Sequence, residues 1–425
     1  MRFARRSDRQ IFPMMPPIAR LSAAVSCRPP EHLRSSALRA GLTAAALVAI
    51  ATLALLLVER IRPAAPAGVP AWRWRPATFL LWTIGDTTEP GFAHSAFGGL
   101  LMVLGGLVAH LGLRAGRRWM GFPVSSGTGL YLWTVGSAGL GLVLSNLVWG
   151  WTIAVSGEWQ PTFVPFASVP AAVVLIYGGR PSVALTGAVL GAGLTTPVAL
   201  AAVNLGCRPL GLPTVIGATT GMWISALIGF ALCRRLPWLP QSEPLVPGCD
   251  TGCAHCLTCR APLGSRWLAR RMLADFTEAQ FIGNEWAGAG LLVGTVTSYL
   301  VDPATASGAG NLLPRLLIAQ TLSAGMAVAA WRRQWAKHGW YPTFVPVVSV
   351  APATVLAFGG TAQAVVAGAV LGALTAPPVA AAIARRLPTD FHPFIGNVVS
   401  MCVLTAVTVT GLSILPGFSP AAANN

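Results

Sequence analysis

The chain has 425 residues, 54% of them hydrophobic and 10% charged, with a mean hydropathy of +0.63. So much apolar sequence excludes an ordinary soluble globular domain and points to a chain that crosses a bilayer many times. The net charge of +16 is carried almost wholly by arginine, as basic cytoplasmic loops require, and it does not call for nucleic acid as a partner.

In chain order, residues 1–37 form a basic, Pro-punctuated tail expected to be disordered and cytoplasmic. Residues 38–76 hold a first span, Ala40 to Val58, and a Pro-rich loop. Glu59 and Arg60 follow the span at once where a cleaved signal would need small residues, so the span reads as an uncleaved anchor. Beyond it the chain is duplicated. A shift of 181 positions aligns Trp159 to Val203 with Trp340 to Ala384 without a gap, and about half the positions are identical, including the word PTFVP. A slightly different shift aligns DTTEPGF from Asp86 with DFTEAQF from Asp275. The units are residues 77–237 and 273–418, with a Cys-rich linker at 238–272 and a short tail at 419–425.

Five apolar segments are legible in each unit: near 92–113, 128–155, 161–178, 182–204 and 213–233, then near 281–301, 312–330, 342–358, 363–384 and 393–415. An odd number of spans turns the second copy over, and the arginines agree. Arg114, Arg117 and Arg118 follow the first segment of unit one, where unit two has VDPATASG. The next loops reverse the bias, with SGEWQ in unit one and WRRQWAKH in unit two. Arg208 is the exception to this alternation. The expected fold is an all-α multi-spanning membrane protein of about 11 transmembrane segments: one N-terminal span, then a 5+5 inverted-topology repeat with Pro-broken helices. The expected location is the bacterial inner membrane, with the N-terminus cytoplasmic.

The third segments carry Pro161, Pro165 and Pro170 in one unit and Pro342, Pro346 and Pro352 in the other. A proline inside a helix frees a carbonyl, which in hydrocarbon must find a hydroxyl, other protein groups or a water-filled cavity. Pro161, Thr162, Phe163, Pro165 and Ser168, with Pro342, Thr343, Phe344, Pro346 and Ser349, are therefore candidates for a substrate pathway. A kinked, packed helix whose hydroxyls bond their own backbone explains the same residues. Thr195 and Thr375 join the list because Thr-Pro pairs would break the fourth segments again. The glycines of Gly187-x-x-x-Gly191 and Gly368-x-x-x-Gly372 read more simply as close helix packing. Asp86-x-Thr88-Glu89 and Asp275-x-Thr277-Glu278 read as capping boxes opening the helices that follow. His94 and Glu285 are the remaining ionisable candidates inside apolar segments, and Asn146, Asn284, Gln320 and Asn397 the buried amides.

In the linker, Cys249, Cys253, Cys256 and Cys259 offer four thiols that suit zinc or an iron–sulfur cluster, although their spacing departs from the usual two-knuckle zinc pattern. Thiol redox exchange and a chemically inert loop are the other readings. No nucleotide loop, zinc-hydrolase or nucleophile-elbow signature is present, so an enzyme is not expected. Leu374-Thr375-Ala376-Pro377-Pro378 resembles the L-T-x-P-F element of urea channels, which share a five-plus-five plan. Pro378 stands where that element has Phe and the flanking positions differ, so the chain is not placed in that family. The first expectation is a transporter or channel for a small solute, with the bilayer as its other partner and homo-oligomer formation left open. The rival expectations are a membrane redox or metal-handling protein centred on the cysteines, and a non-transporting scaffold.

Overall fold

The computed structural model describes residues 33–61, 76–240, 264–303 and 310–419, and every regular element among them is a helix. The basic N-terminal tail to residue 32 and the cysteine cluster lie outside the described residues. In chain order the helices are α1 (Leu33–Ile61), α2 (Pro76–Asp86), α3 (Ala96–Arg114), α4 (Tyr131–Trp149), α5 (Trp151–Ser156), α6 (Val169–Tyr177), α7 (Pro181–Cys207) and α8 (Thr214–Cys233). There follow α9 (Ser265–Asp275), α10 (Glu285–Val301), α11 (Leu313–His338), α12 (Val350–Ala357), α13 (Ala362–Ala384) and α14 (Phe394–Ser413). Eight of these, α1, α3, α4, α7, α8, α11, α13 and α14, are long and apolar enough to cross a bilayer. Large apolar side chains stay on the outside, such as Leu53 at 71% exposure and Leu205 at 80%. In water that surface would be an aggregation liability; in lipid it is the solvated face.

Two helices were not legible as apolar segments. α2 and α9 are 11 residues each, about half the length a span needs, and they end at the buried Asp86 and Asp275. α9 begins at Ser265, inside the stretch read as linker. The acidic motifs therefore close one helix rather than open the next, and the capping-box reading is corrected. The caps of the following helices are Ser95, whose Oγ accepts from Gly98 N at 2.9 Å, and Asn284, whose Oδ1 accepts from Trp286 N at 2.8 Å. The sixth residue after each Asp has an equal consequence. Phe92 and Phe281 hold φ of 63° and 60°, a left-handed conformation unusual for a bulky residue, and each completes a tight turn onto the Glu three residues before it.

The third segments are broken as their prolines require. A 3₁₀ turn over Val164–Ala167 precedes α6 and another over Val345–Val348 precedes α12, with Ser168 and Ser349 in a non-helical conformation between them. The fourth segments differ. α7 absorbs Pro197 with π-helical turns at Gly191–Thr195 and Ala202–Cys207, whereas α13 runs unbroken through Pro377 and Pro378.

α3 and α10 run antiparallel in close contact, through small residues on both. Ser95 Oγ meets Ser298 Oγ at 2.7 Å. A Cβ on Gly294 would stand 2.5 Å from Gly98 Cα, one on Gly290 2.5 Å from Leu101 O, and one on Gly105 2.6 Å from Trp286 O. Backbone approach this tight is what the glycines permit. The contacts are also reciprocal. Under the shift of 189 that aligns the two acidic motifs, Gly98 corresponds to Ala287, Leu101 to Gly290 and Gly105 to Gly294, so each contact exchanges with its opposite number.

Candidate functional site

Each acidic turn lies against the PTFVP word of its own half. In the first, Thr162 Oγ1 donates to Asp86 Oδ2 at 3.1 Å and Trp159 Nε1 donates to Glu89 Oε2 at 3.1 Å. In the second, Thr343 Oγ1 donates to Asp275 Oδ1 at 3.2 Å and Trp340 Nε1 donates to Glu278 Oε1 at 3.1 Å. Four side chains thus form the same pair of bonds twice. Both turns are tied back by a threonine: Ser95 N donates to Thr88 Oγ1 at 2.9 Å, and Asn284 N donates to Thr277 Oγ1 at 3.4 Å.

The two halves differ in the cation that meets the carboxylates. In the second half Arg271, one helical turn before Asp275, donates to Asp275 Oδ1 through Nε at 2.9 Å and through Nη2 at 2.6 Å, and also to Glu278. Its guanidinium lies 4.7 Å from the Trp335 ring centroid and 5.2 Å from that of Phe122. The corresponding residue of the first half is Trp82. There the basic group comes from the other side, as His94, whose Nδ1 lies 3.0 Å from Glu89 Oε1 and 3.3 Å from Asp86 Oδ1. The position matching His94 is Gly283, where a side chain would run into the Glu278 carboxylate. One base per half fills the space, from opposite ends of the turn. Asn146 Nδ2 adds a bond to Asp86 Oδ2 at 2.8 Å, while its Oδ1 has no hydrogen-bond partner.

The remaining sequence candidates are placed as follows. Pro161, Phe163 and Pro165, with Pro342, Phe344 and Pro346, are buried. Cβ atoms on Gly191 and Gly372 would stand 3.0 Å and 2.9 Å from the Cβ of Pro165 and Pro346, so the small-residue faces of α7 and α13 seat the broken segments. Ser168 and Ser349 bond their own backbone, to Val164 O and Val345 O at 2.6 Å each, the arrangement expected of a simple kink. Thr195 is buried with an unpartnered hydroxyl. Thr375 is on the outer face and bonds Leu371 O at 2.6 Å, away from both acidic turns. The Val345–Val348 turn packs against the Glu89–Gly91 turn, and Gln320 Nε2 donates to Gly91 O at 3.1 Å, so the first acidic turn also touches the second half. Glu285 sits at the start of α10, accepting from Phe122 N at 2.8 Å and pairing with Arg270 at 2.5 Å. It favours the helix N-terminus and joins neither acidic cluster.

Asp86, Asp275, Glu89 and Glu278 were missed as site residues because a capping box explains their spacing. The signal that could have found them was that both repeated words persist in both halves, separated by two long helices each time, α3 and α4 in the first and α10 and α11 in the second. Compared with protein-family models and with curated proteins, the sequence matches none.

Proposed function

We propose that this membrane protein transports a small solute between two halves of inverted topology, past the acidic turns and the PTFVP segments. The reading rests chiefly on the doubled bonding of Thr162 to Asp86 and Thr343 to Asp275. Carboxylates are costly to hold inside an apolar helical bundle, and those that persist there usually serve binding or transfer. Here each is held at the end of a half-length helix, beside a Pro-broken helix, which is how many carriers assemble a polar site within hydrocarbon. The reciprocal α3–α10 contact supports inversion, because an approximate two-fold axis crossing two helices makes them antiparallel. Counting from its centre at Leu101 and Gly290, each acidic turn begins ~8 Å away along the helix, on opposite sides, well inside a ~30 Å hydrocarbon layer.

Proteoliposomes test it. Panels of small neutral solutes, anions and cations should reveal one class whose uptake exceeds that of empty vesicles, and Asp86→Asn should abolish most of that excess. Uptake equal to empty vesicles across every class would favour a non-transporting scaffold.

A further inference from the structure

We infer that the Asp86–Glu89–His94 cluster binds a divalent transition-metal ion of the zinc class. The inference rests on the geometry of the cluster and stands apart from the transport reading. One ligand atom of each residue lies within 4.8 Å of the others, and all three residues are buried. Imidazole nitrogen with carboxylate oxygens is a donor set such ions favour.

The oxygens are already sorted. Asp86 Oδ2 is held by Thr162 and Asn146, and Glu89 Oε2 by Trp159, while Asp86 Oδ1 and Glu89 Oε1 face His94 Nδ1. This is how outer-shell donors fix a carboxylate for metal binding, with one oxygen oriented by the protein and the other presented. Two donors ~2.0–2.1 Å from a tetrahedral ion lie ~3.3 Å apart, and the observed separations from Nδ1 are 3.3 Å and 3.0 Å. The ion would take the place of the hydrogen bonds without repositioning the ring. Asn146 Oδ1, fully buried and without a hydrogen-bond partner, is a further oxygen bordering the cluster.

The second half supplies the independent comparison. Its equivalent carboxylates already ligate a cation, the Arg271 guanidinium, on the same scaffold of threonine and tryptophan bonds. A guanidinium is a permanent charge that cannot be exchanged, whereas His94 is a base with a lone pair to offer. The first half therefore holds the exchangeable version of a cation site that the second has filled with its own side chain.

The test uses the full chain in detergent with Cys249, Cys253, Cys256 and Cys259 changed to serine, so that linker thiols do not compete. Titration with Co²⁺, read by visible absorption and by metal analysis after desalting, should give a single bound ion per chain. Asn146→Leu should weaken binding ~10–100-fold, as loss of an outer-shell donor does. His94→Gln and Glu89→Gln should abolish it. Because either could impair folding, the pair Trp82→Arg with His94→Gly is the deciding variant: it installs the second half's internal cation, should remain monodisperse with an intact melting transition, and should take up no Co²⁺. No uptake by the parent protein, or uptake unchanged in that folded variant, would overturn the inference.

Discussion

Arg271→Leu removes the cation that, among the described residues, bridges Asp275 and Glu278. The Arg271 side chain is 3% exposed and that of Asp275 0%, so solvent cannot take over the stranded charge. Breaking a buried pair from one side costs about 3–5 kcal/mol, because the remaining ion keeps its desolvation penalty and loses its partner. Loss of the guanidinium from the Trp335 and Phe122 ring faces adds about 1 kcal/mol. At about 1.4 kcal/mol per tenfold, even the lower figure lowers the folded-to-unfolded ratio more than ~100-fold. The assay is thermal or denaturant unfolding in a fixed detergent, run on Arg271→Leu, Asp275→Leu and the double variant. The double should recover most of the loss, since it removes both buried charges while Glu278 keeps its bond from Trp340 and 15% exposure. Arg271→Lys should fall between, because an ammonium cannot present Nε and Nη2 in one plane to two carboxylates. A single variant within ~0.5 kcal/mol of the parent, or a double no better than the singles, would refute the idea of a structural cation in this half.

Three further outcomes follow from the packing. Gly288→Val should destabilise by about 1–3 kcal/mol or prevent folding, measured by melting and monodispersity, because its new Cβ meets the Leu273 carbonyl at the α9–α10 crossing. Thr195→Val should be neutral or mildly stabilising in the same assay, since it removes a buried hydroxyl without a partner, and Thr375→Val on the outer face should leave both melting and flux unchanged. Burial beside Phe281 and Phe394 lowers the His392 pKa from 6.5 to about 3. Between those values the unfolded chain binds a proton that the folded one does not, so stability present above pH 6.5 declines as pH falls toward 3. His392→Gln should flatten that part of a melting-versus-pH curve.

The sequence made the membrane class legible because its signal is additive: each long helix repeats the same apolar composition, and the duplication doubles every segment. It also located the breaks, since Pro165 and Pro346 leave the backbone few choices. α2 and α9 escaped because 11 residues fill only half of a hydropathy window, and α9, with Arg266, Arg270 and Arg271, reads as a polar loop. The cation exchange between Trp82 and His94 on one side and Arg271 and Gly283 on the other was present in the aligned motifs. It was hidden because neither basic residue has a basic counterpart at its own aligned position. Long-range docking of Asp86 on Thr162 depends on how the turn closes around Phe92, a tertiary fact that local propensity does not carry.

The inversion of the two halves is the claim on which the rest depends, and labelling of single cysteines in cells tests it most directly. With the eight native cysteines replaced, Ser156→Cys and Lys337→Cys each stand exposed in the last turn of a helix, α5 and α11, just before a PTFVP word. The account predicts that a membrane-impermeant thiol reagent applied from outside modifies Ser156→Cys at once and reaches Lys337→Cys only after the membrane is opened. Modification of both from the same face would contradict it.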